Sequence, residues 1–244
     1  MAGVRRAAGA AAVAIVVLAK YPVPGRVKTR IAATIGAERA CALYAGFVRD
    51  LAHRLQSYGG IVWWAFTPAG SRFARLVGTR RCFAQRGRDL GARIDHALRS
   101  VHRRTGGPVI ALGADVPHVS KAELRRAARV LASGVDVVLG PAADGGYYLI
   151  GVRAPQAGLF VDISWGTASV AATTRRRCRS LGLSLVELAD DFDVDEVADV
   201  ARLARLVRRR PRDFPYTRSV LRVLSRQAEV LRPAASPSSD CVRR

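Results

Sequence analysis

The chain has 244 residues, half of them hydrophobic, enough for one sizeable core or for one domain with tails. Its formal charge is +21, and all but three of its 40 basic residues are arginine. This balance favours polyanionic ligands, whether nucleotides, nucleic acid or an anionic membrane surface, without choosing among them. Cys41, Cys82, Cys178 and Cys241 form no CxxC pair and have no histidine at metal-ligand spacing, which excludes a zinc site and a disulfide framework and suits a reducing cytoplasm.

Arg5-Arg6 and the apolar run Ala7 to Ala19 imitate a signal peptide, but no small-x-small cleavage site precedes a plausible mature start. The run is also too short to span a bilayer as a helix. Residues 1–11 are therefore expected to be a disordered lead, and Val13 to Ala19 a strand buried on both faces of a parallel sheet. Lys20, Pro22, Pro24 and Gly25 then interrupt regular structure. Arg26, Lys28 and Arg30 follow at alternate positions, so an extended loop would aim all three the same way. Only Lys20, Lys28 and Lys121 are lysines, and two of them fall in this loop. Aligned cations at the carboxyl end of a strand form a phosphate site, and a solvated basic loop stays open beside that reading. GxxxxGK[ST] is absent, so this is not a Walker loop.

Helices are expected over Gly36–Gln56, Ser71–Val77, Asp89–Arg104, Ala168–Leu181, Asp195–Arg209 and Arg212–Val223, with another capped by Ser120. Strands are expected over Ile61–Phe66, Arg81–Gln85, Val109–Gly113, Asp136–Leu139, Gly146–Val152 and Leu183–Leu188. Alternating strands and helices without a linker or repeat predict one α/β domain, residues 12–224, a mostly parallel sheet with helices on both faces. Residues 225–244 are expected to be a disordered tail, as Pro, Ala and Ser dominate from Arg232.

Ligands of such sheets bind beyond the carboxyl ends of the strands, which selects three acidic clusters. Asp115 follows an apolar strand; a turn or cap role is open, but Ser120 is better placed as the cap. Asp144 precedes Gly145-Gly146, either a plain hairpin turn or a place where a ligand approaches the backbone closely. Tyr147 and Tyr148 alternate there, one toward a site and one toward the core. In Asp190 to Asp195, hard oxygens near cations suit Mg²⁺ or Mn²⁺; Asp195 also reads as a helix N-cap, leaving Asp193 the better ligand. His118 is the only histidine near these clusters and reads as structural.

The ordered series AKYPVPGRVKTR, QRGRDLGAR, GADVP, GPAADGGYYLIG, Trp165-Gly166-Thr167 and DVDEVAD spans residues 13–207 and resembles the bacterial rSAM/selenodomain-associated transferase family, placed among GT-A-fold, nucleotide-diphospho-sugar-type transferases. The plan is also similar to phospholactate and molybdenum cofactor guanylyltransferases. The resemblance implies a GT-A-like (Rossmann-like) domain with nucleotide contacts from Lys20, Gly25, Arg26, Lys28 and Arg30, flanked by Gln85, Asp89 and Arg93. It implies that Asp115, Asp193 and then Asp195 hold Mg²⁺ or Mn²⁺, and that Asp144, Gly145, Gly146 and Tyr147 face the second substrate. Lys28, Asp115 and Asp144 would be catalytic. Ala114 stands where the family commonly has Thr, Gly166 where it has Ser, and Val197-Ala198 where it has Pro-Glu, with Asp199 kept. These departures put the substrate in doubt rather than the metal.

The expected activity is a cytoplasmic, metal-dependent transferase moving a glycosyl group from a nucleotide-sugar to a small acceptor. Nucleotidyl transfer is the alternative, because a cationic loop after the first strand suits a triphosphate with a pyrophosphate leaving group. Arg125-Arg126-Arg129, Arg175-Arg176-Arg177-Arg179 and Arg208-Arg209-Arg210 raise nucleic-acid binding as a third reading. They sit on helix faces without interleaved aromatics, so a solvated surface describes them better and no specific nucleic acid is expected.

Overall fold

A computed structural model of the chain describes residues 12–230. The lead expected over 1–11 and the expected tail beyond residue 230 lie outside the described residues. Seven strands form one sheet: β1 (Ala14–Lys20), β2 (Val62–Thr67), β3 (Cys82–Ala84), β4 (Val109–Gly113), β5 (Val137–Pro141), β6 (Tyr147–Val152) and β7 (Leu185–Glu187). Their order is β3-β2-β1-β4-β6-β5-β7. All pairs are parallel except those of β6, which runs antiparallel to both β4 and β5. The turn Ala142–Gly146 is too short for a crossover, so β6 must return beside β5 as a hairpin.

The β1 strand lies between β2 and β4, so both its faces are covered. Ile15, Val17 and Ala19 point into one core, with Leu43, Phe47 and Leu51 of α2 (Ala37–Gln56), Leu124 of α5 (Lys121–Ala132) and Leu203 of α7 (Val197–Arg209). Ala14 and Val16 point into the other, with Ile94, Leu98 and Val101 of α4 (Leu90–Thr105) and Ala171 and Cys178 of α6 (Val170–Ser180). Two buried faces explain why the strand reads as an uninterrupted apolar run.

Several helix ends follow the sequence signals. Ser120 and Glu123 form a capping box, Ser120 Oγ accepting from Glu123 N at 3.1 Å and Glu123 Oε2 accepting from Ser120 N at 3.2 Å. The short α3 covers Phe73–Val77. Three expectations are corrected. Residues 29–35 are not loop but a helix, α1 (Thr29–Ile35), held down by the buried Ile31. The cap of α7 is Glu196, paired with Asp199, and not Asp195. The last helix, α8 (Pro215–Val230), starts after a 3-10 turn at Pro211–Asp213, later than the expected Arg212, and runs past the expected Val223. No proline or glycine interrupts the chain between Pro215 and Pro233. Its first turn is capped from α2: the buried carboxylate of Asp50 accepts from Tyr216 N at 2.9 Å and Thr217 N at 2.8 Å.

Candidate active site

A cleft of about 710 Å³ opens at the carboxyl ends of β1, β2 and β4. Because β6 is antiparallel, its first residue, Tyr147, and the turn before it reach the same edge. The cleft therefore collects Lys20 from β1, Thr67 from β2, Gln85 just after β3, Asp115 just after β4 and Asp144 from the β5–β6 turn.

Lys28 is its centre. Val27, which is buried, anchors the loop after β1, and Lys28 then adopts left-handed backbone angles, φ 48° and ψ 47°, immediately before α1. A long side chain in that region is strained, and such strain persists only where the surroundings impose it. Here the turn sends the lysine inward, leaving its side chain 3% exposed. Its ammonium lies 5.6 Å from the Tyr44 ring centre and 5.9 Å from that of Phe47. It donates to Asp195 Oδ1 at 2.8 Å and makes a close ion pair with Asp115. Burial on its own would favour the neutral amine, but Asp115 and then Asp195 outweigh it and hold the Lys28 ammonium above its ordinary range.

The late acidic segment reaches the site by pairing across strand ends. Asp191 N donates to Pro141 O at 3.1 Å, Ala143 N to Asp191 O at 3.0 Å, and Val194 N to Asp115 O at 3.0 Å. This path brings Asp193 and Asp195 beside Asp115. Burial, and then the negative charges of Asp115, Asp195 and Asp144, push the Asp193 carboxyl up to about 7, with Lys28 opposing. His118 sits underneath, its Nε2 2.7 Å from Asp191 Oδ1 and its ring stacked on Phe192, a structural role as expected.

The structure separates residues that spacing had grouped. Arg26 is exposed, and Arg30 lies in the first turn of α1 with its side chain 73% exposed, 3.6 Å from Glu196. The three alternating cations therefore do not point together, because the chain turns at Lys28 instead of staying extended. Arg30 still lines the cleft, whereas Gly25, Arg26, Asp89 and Gly145 do not. Asp89 is the N-cap of α4, accepting from Ala92 N at 2.8 Å. Gly145 has φ 86°, and a Cβ there would fall 2.2 Å from Ala168 O, so it allows the β5–β6 turn to touch the 165–169 segment. Asp144 accepts from Gly146 N at 2.9 Å, and Asp144, Gly146 and Tyr147 line the cleft. Tyr148 is buried in the core as the alternation predicts.

Sequence reasoning did not place Tyr44, Leu90 or Trp165 in the site. Tyr44 Oη accepts from Lys20 N at 3.0 Å, tying α2 to the end of β1. Trp165 forms a wall of the cleft, edge-on to Tyr147 at 6.2 Å and packed on Gly91, where a Cβ would come within 2.6 Å of its ring. The Trp165-Gly166-Thr167 motif was the available signal for it. Leu90 had none, because a leucine opening an amphipathic helix reads as core.

The metal expectation meets a definite arrangement. Asp115 and Asp195 are held by the Lys28 ammonium, and among the described residues no three His, Cys, Asp or Glu side chains enclose a common ion position. The donor set nonetheless fits a hard divalent cation. Mg²⁺ usually takes one or two carboxylates and completes its shell with phosphate oxygens and water, and the crowding of Asp115, Asp195 and Asp144 about the Asp193 carboxyl is what such a cation would relieve.

That repulsion gives a testable sign. A folded pKa raised above its unfolded value of 3.8 means a contribution fully present below pH 4 and lost as pH rises through 7. In EDTA, Asp193→Asn is expected to match wild type in urea unfolding at pH 4 and to exceed it at pH 8 by at most about 4 kcal/mol. A stability difference that does not change with pH would remove the repulsion.

Residues 48–167 match the model of a family described as an uncharacterized protein conserved in bacteria (DUF2064). No protein among the curated ones matches the sequence. A solved structure from Desulfovibrio desulfuricans G20, provisionally named a nucleotide-diphospho-sugar transferase, is 31% identical, with 89% of this chain and 97% of that one covered and a TM-score of 0.82. A cytidylyltransferase from Leptospira borgpetersenii serovar Hardjo-bovis shares the fold at 14% identity and a TM-score of 0.56, covering 93% and 99% of the two chains. CMP:2-keto-3-deoxy-manno-octonic acid synthetase, solved with CTP, does so at 13% identity and a TM-score of 0.54, covering 81% and 99%.

Proposed function

The chain belongs to the DUF2064 family, and from its likeness to the Desulfovibrio protein we propose that it transfers a glycosyl group from a nucleotide-sugar to a small acceptor. The observation that carries this reading is the buried Lys28 ammonium set among Asp115, Asp195 and Asp193 in a cleft large enough for a nucleotide.

In this reading Asp115 and Asp193, with Asp195, hold Mg²⁺ or Mn²⁺, which would supply charge neutralisation to the diphosphate. The protein groups bind and orient. Lys20 and Arg30 add positive charge along the phosphate track. The backbone turn at Asp144–Gly146 and the Tyr147–Trp165 pair form the opposite wall, against which the acceptor would lie. Catalysis of this kind is mainly positioning and preorganised electrostatics.

Nucleotidyl transfer is the second reading. It is favoured by Lys20 and Arg30, which line the cleft together with Lys28 after the first strand and suit a triphosphate with a pyrophosphate leaving group. We place the reaction in the cytoplasm, a reading supported by unpaired Cys41, Cys82 and Cys178. No helix among the described residues is long and apolar enough to cross a membrane.

Incubating the full chain and Mn²⁺ with labelled nucleotide-sugars, and separately with labelled nucleoside triphosphates, tests the proposal. Release of nucleoside diphosphate from a nucleotide-sugar is the expected result. Pyrophosphate release from a triphosphate instead would select the second reading, and no product from either series would overturn both.

A further inference from the structure

The carboxylates about Lys28 arrive on two stretches of chain, Asp115 on the loop after β4 and Asp193 with Asp195 on the segment before α7. Burial and the charges of Asp115, Asp195 and Asp144 all oppose an ionised Asp193, so the two stretches repel and must be held together. Two ties hold them, one on each side of Asp193. Val194 N donates to Asp115 O at 3.0 Å. His118 Nε2 lies 2.7 Å from Asp191 Oδ1, and because a carboxylate oxygen only accepts, the histidine is the donor. Both ties run to the same loop, residues 115–118, and only Phe192 and Asp193 stand between them.

The histidine has little freedom. One buried guanidinium holds both its chain neighbours: Arg54 of α2 donates from Nη1 to Pro117 O and, at 3.1 Å, to Val119 O, and from Nη2 to Asp213 O at 2.9 Å. The imidazole is stacked on Phe192, ring centres 4.1 Å apart, and the Arg202 guanidinium lies 3.7 Å from the centre of the same phenyl ring. Groups that near cannot share one face, so Phe192 is gripped between them. Asp191 is held as firmly. Its Oδ1 also accepts from Phe192 N at 2.9 Å, its N donates to Pro141 O at 3.1 Å, and its carbonyl accepts from Ala143 N at 3.0 Å. A phenylalanine at position 118 could supply the stacking but not the hydrogen bond. The imidazole is also costly to bury, since its Nδ1 has no partner among the described residues.

Resting on the metal reading above, we infer that His118 is a positioning residue of the cation site: through Asp191 it fixes the reach of Asp193 toward Asp115, and so sets how tightly Mg²⁺ or Mn²⁺ is held. His118 is itself buried and acts through the acidic segment. Carboxylates held at a fixed separation beforehand need not be gathered against their repulsion when the cation arrives. Partners that orient metal-binding carboxylates are worth about ten- to a hundredfold in metal affinity.

Titration of the full chain with Mn²⁺ alone, free Mn²⁺ being counted by electron paramagnetic resonance, tests this. The part of the binding lost in Asp193→Asn belongs to this site. His118→Phe keeps the stack and is expected to weaken that binding about tenfold or more. His118→Gln, whose Nε2 can donate to Asp191 from nearly the same place, is expected to stay within about threefold of wild type. Urea unfolding of each variant accompanies the titrations. Lower stability in His118→Phe with unchanged Mn²⁺ affinity would make His118 a packing residue and overturn the inference while leaving the metal reading intact, as would equal weakening in the two variants. If His118→Phe does not fold, Asp191→Ala removes the same bond from the accepting side, and Asp190→Ala removes the same charge at an exposed position one residue earlier. A larger loss of Mn²⁺ affinity in Asp191→Ala is then the expected result, and equal effects would overturn the inference. Wild type that binds no Mn²⁺ sensitive to Asp193→Asn would overturn the metal reading together with it.

Discussion

Asp115→Asn is expected to lower transfer by about a hundred- to a thousandfold, the usual loss when one preorganised electrostatic group is removed from a reaction centre. Asp115 stands two residues past the end of β4, with its backbone carbonyl bound by Val194 N and its carboxylate on Lys28, so it links three parts of the site at once. Asparagine keeps the shape and removes the charge. It relieves one of the repulsions on Asp193 but also removes the first carboxylate that holds the buried Lys28 ammonium, so the metal-free fold should gain no stability. Asp193→Asn should lose activity similarly, and the double variant should be no worse than either single one, because groups that act as a unit do not contribute additively. Turnover with whichever donor the product assay identifies measures the first claim. Mn²⁺ titration in the presence of nucleotide measures the second. Wild-type turnover and metal affinity in Asp115→Asn would take that residue out of the site.

Lys28→Ala is expected to weaken nucleotide binding by about 1.5 to 3 kcal/mol, the range for charge-assisted hydrogen bonds, or roughly ten- to 150-fold. The stability effect should stay within about 1 kcal/mol despite the lysine's burial. Its carboxylate partners, Asp115 and Asp195, are 46% and 47% exposed and can return to water when the ammonium is gone. The lysine's own desolvation cost disappears as well. Paired nucleotide titrations and urea unfolding of the two proteins separate these effects. Unchanged affinity would make Lys28 a structural ion pair only, and a large loss of stability with unchanged affinity would say the same.

The sheet was legible because its strands are buried on both faces and so cannot carry polar residues: Val109–Gly113 was read residue for residue, and β1 to within one residue at each end. The Ser120 cap was legible because a capping box is a local device whose two partners stand three residues apart. The expectation for α7 named Asp195 as cap, yet Glu196 and Asp199 form it, since two acidic residues in succession offer the same local signal and only the ion pair with Lys28 withdraws the first.

That ion pair marks the boundary between the two kinds of information. Sequence by itself determined which residue types stand at the carboxyl ends of the strands: a lysine-bearing loop, Asp115, Asp144 and the Asp193–Asp195 pair. Those positions follow from strand periodicity and the rule that ligands bind beyond strand ends. Tertiary structure alone decided which of them meet. Lys28 and Asp195 are 167 residues apart, and nothing local says that the chain will turn left-handed at Lys28, bury its ammonium, leave Arg26 outside and keep Arg30 at the exposed rim. Likewise, only the neighbouring carbonyls of Ala19 and Ala65, contributed by two other strands, orient the Gln85 amide. Local spacing sets where a side chain starts, but the dielectric and the partners it meets are supplied by segments distant in sequence, and those set its charge, its orientation and its chemistry.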